Sequence, residues 1–337
     1  MTTRAAIMGS GSWGTAFAMV LADAGSEVMV WGRDEAIARD INDNHRNDAY
    51  HPGKSLPAGV RATTDAQVAM ADADLVVLAL PAQVLRANLD LWREDIPAEA
   101  VLVSLMKGIE TGTTLRMSEV IAQAAQVPAS RIAVVSGPNL AREIAERQPT
   151  ATTVASDDAD SAQRLQDACT TEYFRPYWTT DVVGTEIGGA VKNVIALANG
   201  MAVGMGLGEN TQASLITRGL AEMSRLGMAL GADPLTFQGL AGVGDLVATC
   251  QSPLSRNRTF GVSLGQGRTV AETIAATKQT CEAFTSCQPI LQLGQMHDVD
   301  LPITEQVVAV LHHGRSPRVI GSALMSRDTK AELSEEA

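Results

Sequence analysis

The sequence predicts an α/β amino-terminal domain with a doubly wound sheet, followed by an all-α carboxy-terminal domain. Up to about Asp181, short apolar runs alternate with segments of helical periodicity, which is the pattern of β-α-β units. After that residue the apolar positions recur at helical spacing and no clear strand follows. A chain of 337 residues has the length of about two domains. We therefore predict one domain over residues 1–181 and another over residues 182–337.

The first predicted strand leads directly into a glycine-rich turn. An apolar run begins at Ala5, and the residues GSGSWG follow at positions 9–14. Between a strand and a helix, a GxGxxG pattern is typical of dinucleotide binding: Gly9 makes the tight turn, Gly11 lets a pyrophosphate approach the backbone, and Gly14 lets the helix pack on the sheet. The pyrophosphate would lie at the helix N-terminus. An ordinary glycine-rich turn is the alternative, and the context favours a Rossmann-type domain.

The second predicted strand, Glu27–Trp31, ends where the adenosine ribose of such a cofactor is read. An acidic residue at this point accepts from the 2′-hydroxyl of NAD, whereas an arginine accommodates the 2′-phosphate of NADP. Both types are present, since Arg33 precedes Asp34. Because Arg33 lies nearer the strand end, we expect NADPH to be preferred, with NADH possible. Asp34 is instead predicted to cap a helix over residues 35–42.

Two later strands are followed by residues that could bind a ligand. Lys107 follows the predicted strand Val101–Leu105, and the turn Gly137–Asn139 follows Ile132–Val135. Open α/β sheets bind ligands at the carboxyl ends of their strands, so both are candidate site residues. An ordinary surface lysine is the alternative for Lys107. The other predicted elements of this half are the strands Leu75–Leu80, Ala151–Ala155 and Tyr173–Trp178, and the helices Thr15–Ala24 and Ala159–Cys169.

The predicted helix Gly184–Val203 carries a lysine among small residues. One stripe of this helix is apolar, and Lys192 points elsewhere, with small neighbours three, four and seven residues away. The adjacent Gly188 and Gly189 cost about 1 kcal/mol each within a helix, which suggests that something approaches the helix closely. A lysine in such a bay can lose its hydration, lower its pKa and pass a proton. The alternative is a packing notch with a lysine that reaches solvent.

The helical half contains a second glycine-rich stretch, GLAGVGDLVATC at positions 239–250. It places Asp245 one helical turn before Thr249. The run SRNR follows at positions 255–258. Small polar donors beside two guanidinium groups suit a phosphate, which arginine grips bidentately, whereas a solvated basic loop is the alternative. The other predicted helices are Ala213–Leu230, Val270–Ala276, Glu282–His297, Thr304–His313 and Ser322–Leu333.

Composition limits the classes of partner. The net charge of −12 argues against nucleic acid or an anionic membrane as the main partner. No apolar run is expected to span a membrane. Four cysteines without CxxC spacing suit a reducing cytoplasm, and five histidines without an HxxxH or HExxH pattern predict no metal site.

Seven motifs stand in a fixed order along the chain. They are GSGSWGTA (9–16), MKGIE (106–110), SGPNLAREI (136–144), GGAVKN (188–193), LITRGLAEMSRLG (215–227), GLAGVGDLVATC (239–250) and SRNRTFG (255–261). On these motifs the chain resembles the bacterial-type NAD(P)-dependent glycerol-3-phosphate dehydrogenases, from Ala5 to about Arg327. The resemblance implies a Rossmann-type domain, an α-helical domain, and interconversion of dihydroxyacetone phosphate and sn-glycerol 3-phosphate for glycerophospholipid synthesis. It also implies a cytoplasmic homodimer.

The resemblance implies roles for individual residues. Lys192 matches the general acid/base lysine of the family. Cofactor contacts are implied for Ser12, Trp13, Arg33, Lys107, Ala141, Arg256 and Glu282, beside the fingerprint glycines. Substrate contacts are implied for Lys107, Gly137, Asn139, Lys192, Asp245, Ser255, Arg256 and Asn257. Two positions depart from the family: Asn139 stands where serine or threonine is common, and Thr280-Cys281-Glu282-Ala283 replaces the usual Val-x-Glu-Gly.

The expected chemistry is a hydride transfer coupled to a proton transfer. NAD(P)H delivers hydride to the C2 carbonyl, and Lys192 as an ammonium protonates the developing alkoxide. Small residues around Lys192 allow the desolvation that lowers its pKa, whereas Asp245, if close, favours the charged amine. Two alternatives remain open. One is a related dehydrogenase of a β-hydroxyacid, which needs a carboxylate pocket; the other is a non-enzymatic NAD(P)-sensing protein, which needs neither Lys192 nor Arg256.

Overall fold

The amino-terminal half is built on one eight-stranded sheet. The computed structural model describes residues 2–276, 281–321 and 326. The strands are Arg4–Met8 (β1), Glu27–Trp31 (β2), Val60–Thr63 (β3), Leu75–Leu78 (β4), Val101–Ser104 (β5), Ile132–Ser136 (β6), Thr150–Ala155 (β7) and Phe174–Thr179 (β8). Their order across the sheet is β3-β2-β1-β4-β5-β6-β7-β8. Neighbouring strands run parallel except β6 and β7.

Helices cover both faces of this sheet. They are Ser12–Asp23 (α1), Glu35–Asn44 (α2), Ala66–Met70 (α3), Leu85–Trp92 (α4), Met117–Ala125 (α5), Ala141–Ala145 (α6) and Ala159–Cys169 (α7). Successive residues of β1 serve opposite faces, because side chains alternate along a strand: Ile7 packs in the core with α1 and α7, and Met8 packs in the core with α3, α4 and α5. Burial on both faces explains why the central strands β4, β5 and β6 read as almost continuous apolar runs. The predicted α/β fold class is confirmed.

Most predicted strands begin and end within two residues of the observed ones, and β3 is the strand that the pattern did not predict. Its four residues, VRAT, alternate between buried and exposed, and Arg61 interrupts the apolar signal. The first helix starts earlier than predicted, at Ser12, so that it begins directly after Gly11. A turn that passes straight into the helix places the first helical N–H groups beside the glycine-rich loop.

The carboxy-terminal half consists of helices around one central helix. They are Val182–Gly204 (α8), Glu209–Ala229 (α9), Asp245–Gln251 (α10), Arg256–Gly265 (α11), Val270–Ala276 (α12), Glu282–Met296 (α13) and Pro302–His313 (α14). Within the described ranges no strand follows β8. The central α8 contributes most of its residues to the helical core. Gly261 lets α11 approach it closely, since a Cβ there would lie 2.1 Å from the carbonyl oxygen of Leu197. The predicted helix Ser322–Leu333 lies outside the described residues.

Among the described residues, one helix has the length and average composition of a membrane span. The helix α8 has 23 residues with a mean hydropathy of 1.2 in its most apolar window. Within that window, 89% is buried inside the protein. Burial against α9, α11 and α13 accounts for this apolar character, because a helix that is apolar all round fits the middle of a large core.

The chain between β5 and α5 ties the sheet to the helical half. This connecting loop, residues 105–116, inserts Ile109 into the core of α8. At its far end, Arg116 Nη1 donates to Glu186 Oε2 at 2.7 Å, and Ser118 N donates to Glu186 Oε1 at 2.8 Å. Glu186 is a residue of α8, so α8 holds both the middle and the end of the loop. Lys107 lies near the start of the same loop and is thereby directed toward Lys192.

Candidate active site and cofactor cleft

One carboxylate joins two lysines where the sheet meets the helical half. Asp245 Oδ1 lies 3.0 Å from Lys192 Nζ, and Asp245 Oδ2 accepts from Lys107 Nζ at 2.5 Å. Lys192 also donates to Thr249 Oγ1 at 2.7 Å, and Thr249 donates to Asp245 Oδ1 at 3.1 Å. We call these four residues the lysine–aspartate cluster. The condition left open by the sequence, that Asp245 lies close to Lys192, is met, and Thr249, noted only for its spacing from Asp245, belongs to the same cluster.

The two glycines of α8 allow other elements to reach this cluster. A Cβ on Gly188 would lie 2.3 Å from the carbonyl oxygen of Ala241, in the turn that precedes α10. A Cβ on Gly189 would lie 2.7 Å from Ser136 Oγ and 3.3 Å from Lys107 Cγ. The expected close approach to the helix is confirmed. The side chain of Lys192 is 8% exposed, so the alternative of a lysine that reaches solvent is wrong.

Burial and charge act against each other within the cluster. Burial lowers the pKa of Lys107 to about 8; the carboxylate of Asp245 opposes this, and the charge of Lys192 adds to it. Burial acts to raise the pKa of Asp245, but the two lysines outweigh it and hold that pKa below its usual value. With a side chain 13% exposed, Lys107 is not the ordinary surface lysine of the alternative interpretation. Two ammonium groups facing one carboxylate leave a net positive charge that suits an anionic ligand.

A second network of amides lies beside the cluster. Asn257 Nδ2 donates to Asn193 Oδ1 at 2.8 Å, and Asn193 Nδ2 donates to the carbonyl oxygen of Lys107 at 3.4 Å. Asn257 Oδ1 accepts from Ala283 N at 3.1 Å and from Cys281 Sγ at 3.2 Å. Asn257 thereby links α8, α11 and the start of α13. Asn193 was not among the predicted site residues, although its position directly after Lys192 was a signal for it.

The SRNR run begins α11, and its residues have different surroundings. Ser255 Oγ accepts from Arg258 N at 3.2 Å and so caps the helix. Arg256 is exposed on the first turn, and its charge acts on the buried carboxyl of Glu282. Asn257 is buried and points toward α8. The run therefore presents one exposed guanidinium beside the amide network rather than a fully solvated loop.

Glu282 lies next to the connecting loop. Burial raises the pKa of Glu282 to about 7, and the charges of Arg256 and Lys192 oppose the rise. A Cβ on Gly108 would lie 3.6 Å from Glu282 Oε2. The structure thus brings Glu282 to the predicted site even though its neighbours in the sequence depart from the family pattern. Its contact with a cofactor stays a prediction.

The turn after β6 contacts the cluster through Lys107. Gly137 has a φ of +143°, and its carbonyl oxygen accepts from Lys107 Nζ at 2.9 Å. Asn139 Nδ2 donates to Thr152 Oγ1 at 2.9 Å, whereas Asn139 Oδ1 is buried and lacks a hydrogen-bond partner in the described part of the chain. This carbonyl oxygen is available to a ligand hydroxyl. Ala141 begins α6, and its side chain packs in the core that α1 helps to form.

The glycine-rich loop has the geometry expected of the fingerprint. Gly9 has a φ of +138°, and a Cβ there would lie 2.3 Å from the carbonyl oxygen of Ala79. A Cβ on Gly14 would lie 2.1 Å from the carbonyl oxygen of Gly9. By contrast, a Cβ on Gly11 would meet no atom of the described residues within 4 Å. Packing therefore requires glycine at positions 9 and 14, whereas Gly11 borders open space.

That open space fits the pyrophosphate of a dinucleotide. No side chain caps α1, and its first turn contains no acidic residue. Its first N–H groups, which include those of Ser12 and Trp13, are therefore available to an anion. Trp13 Nε1 is also buried and has no partner within the described residues. The residues present thus fit the group that the fingerprint implies.

The end of β2 separates the two candidates for ribose recognition. Asp34 Oδ1 accepts from Ala36 N at 2.8 Å, so the predicted cap of α2 is confirmed. Arg33 is exposed one residue earlier. Its guanidinium is therefore placed to meet a group in solvent, and its contact with a 2′-phosphate stays a prediction.

Acidic, histidine and cysteine side chains are the groups that bind metal ions most often. In the part of the chain that the structure describes, three or more of them do not gather as a metal site would require. The cysteines Cys169, Cys250, Cys281 and Cys287 are all buried and free.

Comparison with known proteins gives a consistent result over the whole chain. A profile described as NAD-dependent glycerol-3-phosphate dehydrogenase N-terminus matches residues 4–162, and the corresponding C-terminus profile matches residues 181–322. A Streptomyces griseus protein named glycerol-3-phosphate dehydrogenase [NAD(P)+] is 63% identical over 329 residues, which cover 98% of each chain. A Thermobifida fusca protein of the same name is 60% identical over 331 residues, again covering 98% of each.

A solved structure agrees with these relatives. The crystal structure of glycerol-3-phosphate dehydrogenase from Coxiella burnetii is 35% identical in sequence, and the two folds superpose with a TM-score of 0.91. The match covers 97% of this chain and 99% of the other. The sheet and the helical half described above are therefore arranged as in that protein.

Proposed function

The chain belongs to the NAD-dependent glycerol-3-phosphate dehydrogenase family, and from that membership we propose that it interconverts dihydroxyacetone phosphate and sn-glycerol 3-phosphate with NAD(P)H. The lysine–aspartate cluster is the observation that supports this reaction most directly. It places a buried ammonium at the carboxyl ends of β5 and β6, where open α/β sheets bind ligands. A proton donor at that position can serve a carbonyl that receives a hydride.

Lys192 is the proton donor in this proposal. When bound, a nicotinamide cofactor supplies the hydride that reaches C2 of the substrate. Lys192 stabilises the negative charge that develops on the C2 oxygen and gives that oxygen a proton. Asp245, at 3.0 Å from Lys192 Nζ, favours the protonated lysine that carbonyl reduction needs. In the reverse direction, the neutral amine of Lys192 accepts the hydroxyl proton.

Lys107 and the amide network hold the substrate in this proposal. Lys107 reaches Asp245 from the connecting loop after β5, and Asn257 reaches Asn193, next to Lys192, from α11. Asn257 uses one N–H on Asn193, so its second N–H is left for a substrate oxygen. Arg256, exposed beside Asn257, supplies the guanidinium for the substrate phosphate. Gly137, Asn139 and Ser255 complete the predicted set of substrate contacts.

The cofactor occupies the cleft over the glycine-rich loop in this proposal. The N-terminus of α1, with Ser12 and Trp13, would hold its pyrophosphate, and Arg33 would bind the 2′-phosphate of NADPH. Because Asp34 is engaged in capping α2, Arg33 is the residue left to choose between the cofactors. NADPH is preferred and NADH is accepted. Ala141, Lys107, Arg256 and Glu282 supply the remaining contacts.

The enzyme feeds glycerophospholipid synthesis as a cytoplasmic homodimer, on the same family grounds. We propose that residues 1–181 bind the cofactor and that residues 182–337 supply most of the catalytic and substrate groups. Four free, buried cysteines suit a reducing compartment. Light scattering on the purified protein tests the assembly, since a dimer has twice the mass of the chain.

A single assay tests the reaction. Purified protein is mixed with dihydroxyacetone phosphate and either NADPH or NADH, and loss of reduced cofactor is followed by absorbance. The proposal requires turnover with dihydroxyacetone phosphate and little with a panel of β-hydroxyacids in the oxidative direction. Turnover of a hydroxyacid alone, or cofactor binding with no turnover, would refute it.

A further inference from the structure

The loop after α2 folds back over the glycine-rich loop. Its ends meet, since Arg46 and Ser55 form an isolated β-bridge and Leu56 N donates to the carbonyl oxygen of His45 at 2.8 Å. Inside the loop, Gly53 N donates to Asp48 Oδ1 at 2.8 Å. A loop closed at its ends and bonded within is a defined element rather than a loose connection. We call residues 45–56 the covering loop.

Two polar side chains of the covering loop are buried against the glycine-rich loop. Asn47 is 1% exposed and His51 is 3% exposed. Asn47 Nδ2 donates to the carbonyl oxygen of Ser10 at 3.0 Å and to Thr15 Oγ1 at 2.8 Å. His51 Nε2 lies 2.8 Å from the carbonyl oxygen of Ser12, which can only accept, so Nε2 carries the hydrogen. Neither contact belongs to the lysine–aspartate cluster.

These two carbonyl groups belong to the peptides that carry the N–H groups of Gly11 and Trp13. In a trans peptide the C=O and N–H bonds point in opposite directions. A bond to the carbonyl oxygen of Ser10 therefore fixes the direction of the Gly11 N–H. In the same way, the bond from His51 to Ser12 fixes the direction of the Trp13 N–H. Gly11 borders the open space before α1, and Trp13 lies in the first turn of that helix.

Burial prevents the side chains of Asn47 and His51 from exchanging these bonds for bonds to water. A buried amide or imidazole that loses its partner leaves an unsatisfied polar group, which costs more than the bond itself gains. Asn47 and His51 therefore cannot turn away from the glycine-rich loop without that penalty. Burial also lowers the pKa of His51, with the bond to Ser12 opposing and Lys54 adding to the lowering, so the ring is neutral and donates through Nε2.

We propose that Asn47 and His51 are positioning residues for the pyrophosphate of the cofactor, holding the Ser10–Gly11 and Ser12–Trp13 peptides with their N–H groups toward it. The inference rests on the proposed use of NAD(P)H. Neither side chain need touch the cofactor. Their effect is on binding of the dinucleotide, and the proton transfer at Lys192 is independent of them.

The test measures binding without turnover. NADPH affinity is determined by calorimetry on wild type, Asn47→Asp, His51→Leu, His51→Gln and Asp48→Ala, with thermal unfolding to establish that each is folded. Asn47→Asp keeps the shape of the side chain and removes the donor but adds a negative charge, so His51→Leu, which adds no charge, carries the comparison for the lost hydrogen bond. His51→Gln keeps an N–H near the position of Nε2, whereas His51→Leu does not. Asp48→Ala is the matched control, because it breaks the internal bond to Gly53 without touching the glycine-rich loop.

Asn47→Asp is expected to raise the Kd for NADPH by about 10-fold or more, and His51→Leu by about 3- to 10-fold, as loss of one or two buried hydrogen bonds predicts. His51→Gln and Asp48→Ala stay within about 2-fold of wild type. At saturating NADPH, kcat in all variants stays within about 3-fold. Amide hydrogen exchange of residues 9–15, measured without cofactor, speeds up in Asn47→Asp and His51→Leu only.

Three results would overturn the proposal. The first is an unchanged NADPH Kd in folded Asn47→Asp. The second is an equal loss of affinity in Asp48→Ala, since the covering loop would then act through its own stability. The third is a His51→Gln variant that binds as poorly as His51→Leu. Failure of the proposed reaction is separate, because a wild-type protein that binds NADPH but does not reduce dihydroxyacetone phosphate leaves these comparisons intact.

Discussion

Lys192 Nζ lies 3.0 Å from Asp245 Oδ1, and both side chains are almost completely buried. The other oxygen of the same carboxylate binds Lys107. Asp245 therefore contacts two lysines at once, one on the central helix of the helical half and one in the connecting loop after β5. Because buried charges interact strongly, Asp245 and Lys192 both act on the pKa of Lys107, and the two lysines together lower the pKa of Asp245.

Replacing Lys192 tests the proton donor. Lys192→Ala should lower kcat by about 100-fold or more, because the developing negative charge on the substrate oxygen loses its donor. NADPH should still bind, since the cleft over α1 is distant in sequence and built from other elements. Lys192→Arg should fail to restore kcat, because a guanidinium does not release its proton near neutral pH. A kcat for Lys192→Ala within a few-fold of wild type would remove the assignment.

Replacing Asp245 tests how the cluster sets its pKa values. Burial lowers the pKa of Lys107 to about 8 while Asp245 opposes the lowering, so wild-type kcat/KM should fall as pH rises through about 8. Asp245→Asn removes the opposing charge and should move this fall to lower pH. The measurement is kcat/KM for dihydroxyacetone phosphate from pH 6 to pH 10. A fall that stays in place or moves to higher pH contradicts the electrostatic role of Asp245.

Replacing Arg33 tests the cofactor preference. Arg33→Ala should raise the KM for NADPH and leave the KM for NADH nearly unchanged, because only NADPH carries the 2′-phosphate. The expected loss in the binding free energy of NADPH is about 1.5–3 kcal/mol, as for a charge-assisted hydrogen bond. Arg39→Ala is the matched control, since Arg39 is exposed on α2 nearby. Equal losses for both cofactors would show that Arg33 does not read the 2′-phosphate.

Replacing Arg256 tests the phosphate site. Arg256→Ala should lower kcat/KM for dihydroxyacetone phosphate by roughly 10- to 200-fold at saturating NADPH, and should hardly change the low rate with dihydroxyacetone. Arg256→Lys should recover only part, because the charge survives without the bidentate fork. Arg268→Ala, near the other end of α11, controls for general charge. If both substrates slow by the same factor in Arg256→Ala, the phosphate site lies elsewhere, with Lys107 the next candidate.

Glu222 is expected to make the free energy of unfolding depend on pH. Its carboxyl accepts from Ile303 N at 2.6 Å and from Thr304 N at 3.2 Å, and so caps α14. Burial raises the pKa of Glu222 to about 7, and the bonds from Ile303 and Thr304 oppose the rise. A pKa raised above its unfolded value stabilises the fold at low pH, and this stabilisation is lost as pH rises through about 7.

The measurement is urea unfolding of wild type and Glu222→Gln at pH 5 and pH 8.5. The stability of wild type relative to Glu222→Gln should decrease by up to about 3 kcal/mol between the two pH values. Glu209→Gln, an exposed glutamate of the same helix, should show no such change. A difference between wild type and Glu222→Gln that does not vary with pH would mean that Glu222 keeps an ordinary pKa.

Local patterns were sufficient for the elements themselves. The central strands β4, β5 and β6 are buried along their whole length and read as almost continuous apolar runs because both their faces are covered, and this can be read without knowing what covers them. The GSGSWG turn and the paired glycines of α8 were also readable, since close backbone approach demands glycine at specific positions. The short edge strand β3 was not readable, because four residues with one exposed arginine carry little periodic signal.

Only the tertiary structure showed which residues distant in the chain contact each other. Lys107 meets Asp245 across 138 positions, and Asn47 meets Ser10 across 37. The sequence alone determined that this chain has a glycine-rich dinucleotide turn, a lysine in a bay of small residues, and helices after Asp181. Only the packing of α8 against the connecting loop and the turn before α10 decided that one carboxylate holds both lysines. Such contacts depend on how whole elements are placed, whereas periodicity reports only which face of each element is buried.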